Sequence, residues 1–120
     1  MENARVAIFE DNKLVQEGLS MWLEMSGHVV VKQVETFDAV NSTICGLAKS
    51  GEGVDIALVD GNLSRGEIDG TEGAYICDRL KSTFPAVRVV GMSMAGPVPG
   101  ADTDILKSDT KAILDFIARI

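Results

Sequence analysis

Apolar residues in this chain occur in short, almost continuous runs separated by segments of helical periodicity. The runs have the length of strands and cover residues 5–9, 29–34, 54–59, 87–92 and 104–106. Continuous apolar character predicts strands that are buried on both faces, as in a parallel sheet. Because strands alternate with helices, we predict right-handed βαβ units and one doubly wound α/β domain over residues 1–120.

The intervening segments carry apolar residues at helical spacing. The first helix follows Asn12, a predicted N-cap, and ends at Gly27. A second helix is predicted over residues 37–48, and a third from about residue 71 to residue 83, before Pro85. A last helix carries Ile113 and Ile117, with Ser108 as its predicted N-cap.

The connection between the fourth and fifth strands is unlike the others. Residues 94–103 contain Pro97 and Pro99, and proline interrupts the hydrogen-bond ladder of a helix. A helix of average length with a loop at each end would also need more residues than this segment has. We therefore predict a loop with at most one helical turn, and a sheet face that is partly uncovered beside it.

Composition excludes several classes of function. The net charge is −7 and the basic residues form no run, which argues against binding to nucleic acid or to an anionic membrane. No apolar stretch approaches the roughly 18 residues that would span a bilayer, and the polar N-terminus does not resemble a signal peptide. Cys45 and Cys77 have no metal-site spacing, so we expect two reduced core thiols in a cytoplasmic protein.

Charged and hydroxyl side chains follow the predicted strands at the points where the strands end. They are Glu10, Asp11, Asp60, Ser93 and Lys107. Ligands of parallel α/β sheets bind beyond the carboxyl ends of the strands, so we expect these side chains to converge. An acid at the end of a buried strand also needs a cationic partner.

These residue types are suited to phosphoryl transfer. Oxygen ligands from Asp11, Asp60 and the Asn62 carbonyl would hold Mg²⁺, with Glu10 reaching it through water. The carboxylate of Asp60 would be the nucleophile and form an acyl phosphate. Lys107 would neutralise the phosphoryl oxygens, and the Ser93 hydroxyl would donate to one of them.

Taken together, these residues resemble the receiver (response-regulator) domain of two-component signalling, over essentially the whole chain. The matching segments are the opening strand with Glu10-Asp11, the segment 60–63, Asp69-Gly70 and the segment 101–107. The resemblance implies a flavodoxin-like sheet with strand order 2-1-3-4-5. It also implies phosphorylation of Asp60 with Mg²⁺ by a histidine kinase or a histidine phosphotransfer protein, in a domain that is not itself an enzyme.

The chain departs from the family pattern at several positions. Met94 follows Ser93 where the family has a small residue, and Asp104 replaces the switch aromatic three positions before Lys107. Ser64 and Ser108 stand where the family has proline, and the fourth helix of the family is missing or vestigial. A homodimer through the uncovered sheet face is a further expectation.

Two other functions remain open at this point. A degenerate receiver-like interaction or dimerisation module, with weak or no phosphorylation, is favoured by Met94 and Asp104. A phosphatase that uses Asp60 as its nucleophile is disfavoured, because such enzymes carry an Asp-x-Asp motif and position 62 is Asn.

Overall fold

The computed structural model describes residues 3–61, 63, 71–94 and 96–120. The strands are β1 (Arg5–Phe9), β2 (Val29–Val34), β3 (Ile56–Asp60), β4 (Arg88–Ser93) and β5 (Thr103–Leu106). The α-helices in these residues are α1 (Lys13–Met25), α2 (Val40–Lys49), α3 (Thr71–Thr83) and α4 (Thr110–Arg119), with a single 3₁₀ turn at Phe37–Ala39 before α2.

The five strands form one parallel sheet in the order β2-β1-β3-β4-β5. This confirms the predicted doubly wound α/β fold and its strand order. The two central neighbours β1 and β3 are in direct register, with Phe9 beside Val59. Their carboxyl ends therefore lie side by side, and Glu10 and Asp60 are brought to the same edge of the sheet.

Alternate residues of the strands point into two separate cores. Ala7, Phe9, Ala57 and Val59 pack against α2 and α3 on one face. The residues between them pack against α1 and α4 on the other, which are Val6, Ile8, Ile56 and Leu58. Fully buried strands of this kind explain the nearly continuous apolar runs in the sequence.

Helix starts are set by short polar side chains. Asn12 caps α1 as predicted, since its side-chain oxygen accepts from the backbone N–H groups of Leu14 and Val15. The prediction of Ser108 as the cap of the last helix is wrong. Asp109 is the N-cap, and its carboxylate accepts from Ala112 N at 3.0 Å, because the chain turns one residue later than expected.

The connection from β4 to β5 contains no helix in residues 94 and 96–102, in agreement with the two prolines. The expected uncovered sheet face is wrong over β4, because Val98 folds back onto that strand and is only 2% exposed. Beside it on β5, Leu106 is 48% exposed. One side chain thus covers β4 where the other crossovers use a helix.

One minor expectation also needs correction. Cys77 is a buried core thiol as predicted, but Cys45 lies on the exposed side of α2. Among the described helices, none is both long enough and apolar enough to cross a bilayer.

Candidate functional site

Asp60 is the last residue of β3 and Glu10 directly follows β1, so both reach the carboxyl edge of the sheet. The side chain of Glu10 is fully buried and that of Asp60 is 6% exposed as a residue. The Glu10 backbone is fixed on both sides: its N–H donates to Val34 O at 2.9 Å, and its carbonyl accepts from Gln16 Nε2 at 3.1 Å. Both carboxylates therefore lie in a poorly solvated position, and the backbone of Glu10 is held in place on both sides.

Lys107 joins these two acids. Its ammonium nitrogen lies 2.9 Å from Asp60 Oδ2, and 2.6 Å and 3.0 Å from Glu10 Oε1 and Oε2. The residue directly follows β5, and its backbone N–H donates to Ser93 O at 2.8 Å, which anchors it to the end of β4. The predicted convergence of an acid pair, Asp60 and Lys107 is present in the structure.

Asp11 completes a cluster of acids. Carboxylate oxygens of Glu10, Asp11 and Asp60 all lie within 4.8 Å of one another. Asp11 is exposed at the mouth of the cluster, whereas the other two lie beneath it. The mouth is an open cleft lined by Asp11, Asn12, Val15, Leu63, Met94, Lys107 and Ser108. The carboxylates are therefore reached from solvent on the side of Asp11.

The electrostatics of the cluster show an excess of acid. Burial, and then the neighbouring carboxylate of Asp60, raise the pKa of Glu10 to about 8, although Lys107 opposes the rise. The same two causes raise the pKa of Asp11. Burial alone would lower the pKa of Lys107, but its hydrogen bonds to Glu10 and Asp60 outweigh burial, so its pKa is raised. One ammonium does not compensate three carboxylates, so the pKa values of Glu10 and Asp11 stay above their usual range.

A divalent cation fits this donor set. Three carboxylates that converge within 4.8 Å offer the hard oxygen ligands that Mg²⁺ prefers. Glu10 Oε1 is moreover buried without a hydrogen bond of acceptable geometry, despite its short ion pair with Lys107. Asn62, the predicted third ligand, lies outside the described residues, as do Ser64 and Asp69-Gly70.

Ser93 ends β4 beside Lys107, but its hydroxyl is turned toward the following connection and donates to the Gly96 carbonyl. Met94, which follows it, is 72% exposed and lines the cleft. Sequence reasoning missed one supporting residue, Gln16, which holds the Glu10 carbonyl. The sequence feature that could have identified Gln16 is its position three residues before Leu19, which places a polar residue on the side of α1 that faces the core.

The sequence matches no family model and no curated protein. Solved structures do resemble it. The DrrB receiver domain in its BeF₃-activated form has a TM-score of 0.69 and 20% identity, covering 99% of this chain and 97% of that one. The NarL signal receiver domain from Mycobacterium tuberculosis has a TM-score of 0.69 and 25% identity, with 98% of each chain covered.

A response regulator from Thermotoga maritima is similar as well, with a TM-score of 0.70, 18% identity, and coverage of 98% of this chain and 92% of that one. The chain has the fold of a receiver domain. Its structural neighbours are receiver domains of response regulators. In an unbroken βα repeat, a helix connects each strand to the next. Here the described residues between β4 and β5 contain no helix, and Val98 lies on the sheet in its place.

Proposed function

We propose that this chain is a phosphoacceptor signalling domain of a two-component or phosphorelay system, phosphorylated on Asp60 with Mg²⁺. The observation that carries the proposal is the arrangement of three carboxylates within 4.8 Å of one another, with the Lys107 ammonium 2.9 Å from Asp60. A nucleophilic carboxylate, two further acids for a cation and a lysine for the phosphoryl group are the parts that phosphoryl transfer requires.

The reaction that this geometry supports is transfer from a phosphohistidine. A carboxylate oxygen of Asp60 forms a bond to phosphorus while the phosphorus–nitrogen bond breaks, and the imidazole nitrogen keeps the electron pair. The product is an acyl phosphate on Asp60. Lys107 is placed to offset the negative charge of the phosphoryl oxygens, because its ammonium already contacts the Asp60 carboxylate.

Glu10, Asp11 and Asp60, with the carbonyl of Asn62, are the residues that would hold Mg²⁺ in this proposal. The cation would supply positive charge beside the transferred group, where negative charge accumulates. The buried Glu10 carboxylate keeps Lys107 near Asp60 through its own ion pair. Ser93 lies at the end of the neighbouring strand, and its hydroxyl would donate to a phosphoryl oxygen after leaving the Gly96 carbonyl.

The domain would change a protein–protein interaction on phosphorylation, with a histidine kinase or phosphotransfer protein as donor in the cytoplasm. It would assist only its own phosphorylation and dephosphorylation. The use of BeF₃ to activate DrrB, a structural neighbour, is consistent with such a role. The net charge of −7 and the lack of any run of basic residues make nucleic acid an unsuitable partner for this domain.

A second candidate is a receiver-like interaction module that is phosphorylated weakly or not at all. Two observations favour it. Met94 lines the cleft with 72% of its surface exposed, in the path of an entering group. Asp104 accepts a hydrogen bond from Val98 N, so this position is occupied by a loop contact instead of an aromatic side chain.

One experiment separates the two candidates. The protein is incubated with Mg²⁺ and acetyl phosphate, and its intact mass is measured. We expect wild type to gain one phosphoryl group and Asp60→Asn to gain none. Asp78→Asn, which changes an exposed carboxylate of α3, is the matched control and should gain the group as wild type does. A wild-type mass that stays unchanged would leave the interaction module as the function.

A further inference from the structure

Val98 occupies a socket made of three glycines from three separate segments of the chain. We call this the glycine socket, and its members are Gly61, Gly73 and Gly91. A Cβ atom on Gly91 would lie 2.7 Å from Val98 Cβ, and one on Gly73 would lie 2.9 Å from Val98 Cγ1. Both distances are shorter than real Cβ contacts, so a side chain at either position would force Val98 or the neighbouring backbone to move. Close packing of Val98 therefore depends on glycine at positions 73 and 91.

Asp104 holds Val98 in the socket. Its Oδ1 accepts from the Val98 backbone N–H at 2.8 Å, and the same oxygen lies over Gly91, close to where a Cβ would stand. Asp104 is the residue opposite Gly91 in the β4–β5 register, so its side chain leans across the sheet toward the socket. The bond fixes the middle of the connection to β5.

The socket is joined to the candidate site through the backbone. Gly61 directly follows Asp60, its N–H donates to Met92 O at 3.2 Å, and its carbonyl accepts from Gly73 N at 2.9 Å. A Cβ on Gly61 would lie in ordinary contact with Val98, at 3.6 Å from Cγ2. At the other end of the same connection, the Ser93 hydroxyl donates to the Gly96 carbonyl. Val98 thus packs against the residue beside the acceptor, and Ser93 is held by the segment that carries Val98.

We infer that Asp104 is a positioning residue that latches residues 96–102 in the glycine socket and so opposes phosphorylation of Asp60. This inference rests on the proposed function. For Ser93 to reach a phosphoryl group, its hydroxyl must leave the Gly96 carbonyl, and the Asp104–Val98 bond keeps the segment that carries this carbonyl in place beside Ser93. By linkage, a phosphoryl group that draws Ser93 away weakens the hold of the latch on Val98. Weakening the Asp104–Val98 bond in turn strengthens phosphoryl binding, and the two effects are equal in free energy.

The test uses Asp104→Ala, which removes the acceptor, and Asp104→Asn, which keeps an oxygen at the same place. Beryllofluoride with Mg²⁺ is the probe, and its apparent affinity is read by titration. We expect Asp104→Ala to bind on the order of tenfold tighter than wild type, and Asp104→Asn to remain within about threefold of it. Asp102→Ala is the control for general loosening, because Asp102 lies in the same connection but accepts from Val89 N.

A second measurement follows the latch itself. Hydrogen exchange at the Val98 amide should be slow in wild type, fast in Asp104→Ala, and fast in wild type loaded with beryllofluoride. Val98→Ala trims the side chain in the socket and leaves the amide, so it should strengthen beryllofluoride binding too. This variant keeps the inference testable if Asp104→Ala does not fold.

The outcomes distinguish the two proposals. Wild type that binds beryllofluoride while both Asp104→Ala and Val98→Ala bind no tighter would overturn the latch alone. An equal gain in Asp102→Ala would overturn the assignment to Asp104. Binding by Asp104→Ala where wild type binds nothing would support a latch strong enough to keep the site closed. Absence of binding in all variants would overturn the latch together with the proposed function.

Discussion

The Lys107 ammonium lies 2.9 Å from the Asp60 carboxylate, although 47 residues separate them in the chain. The side chain of Lys107 is 12% exposed and that of Asp60 is 8% exposed, so this pair is largely removed from water. A buried charge that loses its partner is costly because nothing else compensates it. The pair is consequently the part of the site whose removal the protein should tolerate least.

Lys107→Met should therefore destabilise the protein by about 3 kcal/mol at pH 8, because Asp60 and Glu10 would be left buried without a cation. Urea denaturation measures the free energy of unfolding. Lys81→Met is the matched control, since Lys81 pairs with Asp102 at 40% and 41% side-chain exposure. An exposed pair contributes about 0–1 kcal/mol, so equal losses in the two variants would contradict the importance of burial.

Glu10 should make the stability of the metal-free protein depend on pH. Its pKa is raised to about 8 in the folded state by burial, from an ordinary value of 4.5. Between these two values the folded state binds more protons than the unfolded state, so stability must fall as pH rises from about 4.5 through about 8. The contribution of one proton is at most about 1.4 kcal/mol per pH unit.

Urea denaturation in EDTA at several pH values measures this slope. Glu10→Gln carries no titrating carboxyl and should show a flatter profile between about pH 5 and pH 8. Glu24→Gln, an exposed acid on α1, should keep the slope of wild type. A wild-type stability that rises over this interval, relative to Glu10→Gln, would show that Glu10 is ionised at neutral pH by its contact with Lys107.

The site could be predicted from the sequence because of how parallel sheets are built. The apolar runs 5–9, 54–59 and 104–106 are followed directly by Glu10, Asp60 and Lys107. The carboxyl ends of parallel strands share one edge of the sheet, so these side chains were expected to converge there. This convergence can be expected without knowing how the side chains pack. The strand order was implied by the family resemblance, and the structure confirms it.

The covering of β4 could not be predicted in the same way. Gly61, Gly73 and Gly91 come from three separate segments, and nothing in the sequence shows that they meet around Val98. The prediction of the α4 N-cap was wrong for a different reason. Ser108 and Asp109 are adjacent and both are good N-cap residues, so only the observed turn decides between them.

Mg²⁺ should stabilise the protein if the acid cluster is a cation site. A ligand that binds only the folded state adds about 2.7 kcal/mol at a concentration of 100 times its Kd. Thermal unfolding followed with and without Mg²⁺ should show a rise in Tm for wild type. The rise should be largely lost in Asp11→Asn, which removes one of the three carboxylates. Asp78→Asn should keep it, and equal shifts in both variants would mean that Mg²⁺ acts on surface charge in general.

Glycine-to-alanine substitutions should have opposite effects in two helices. At Gly73 in α3, a Cβ would lie 2.8 Å from Gly61 Cα, which is backbone and cannot move aside cheaply. At Gly46 in α2, a Cβ would meet nothing within 4 Å, and alanine is the better helix former by about 1 kcal/mol. We expect Gly46→Ala to stabilise by about that amount, and Gly73→Ala to destabilise by about 1–3 kcal/mol despite the same helix gain.

Urea denaturation of the two variants beside wild type measures both effects. The Gly73→Ala loss should shrink in the double variant Gly73→Ala/Val98→Ala, because Val98 Cγ1 is the second atom that the new methyl would meet, at 2.9 Å. Equal stability gains in Gly73→Ala and Gly46→Ala would show that the socket has room to spare. In that case Val98 would cover β4 loosely, and its release would have little free energy to transmit to the residue after Asp60.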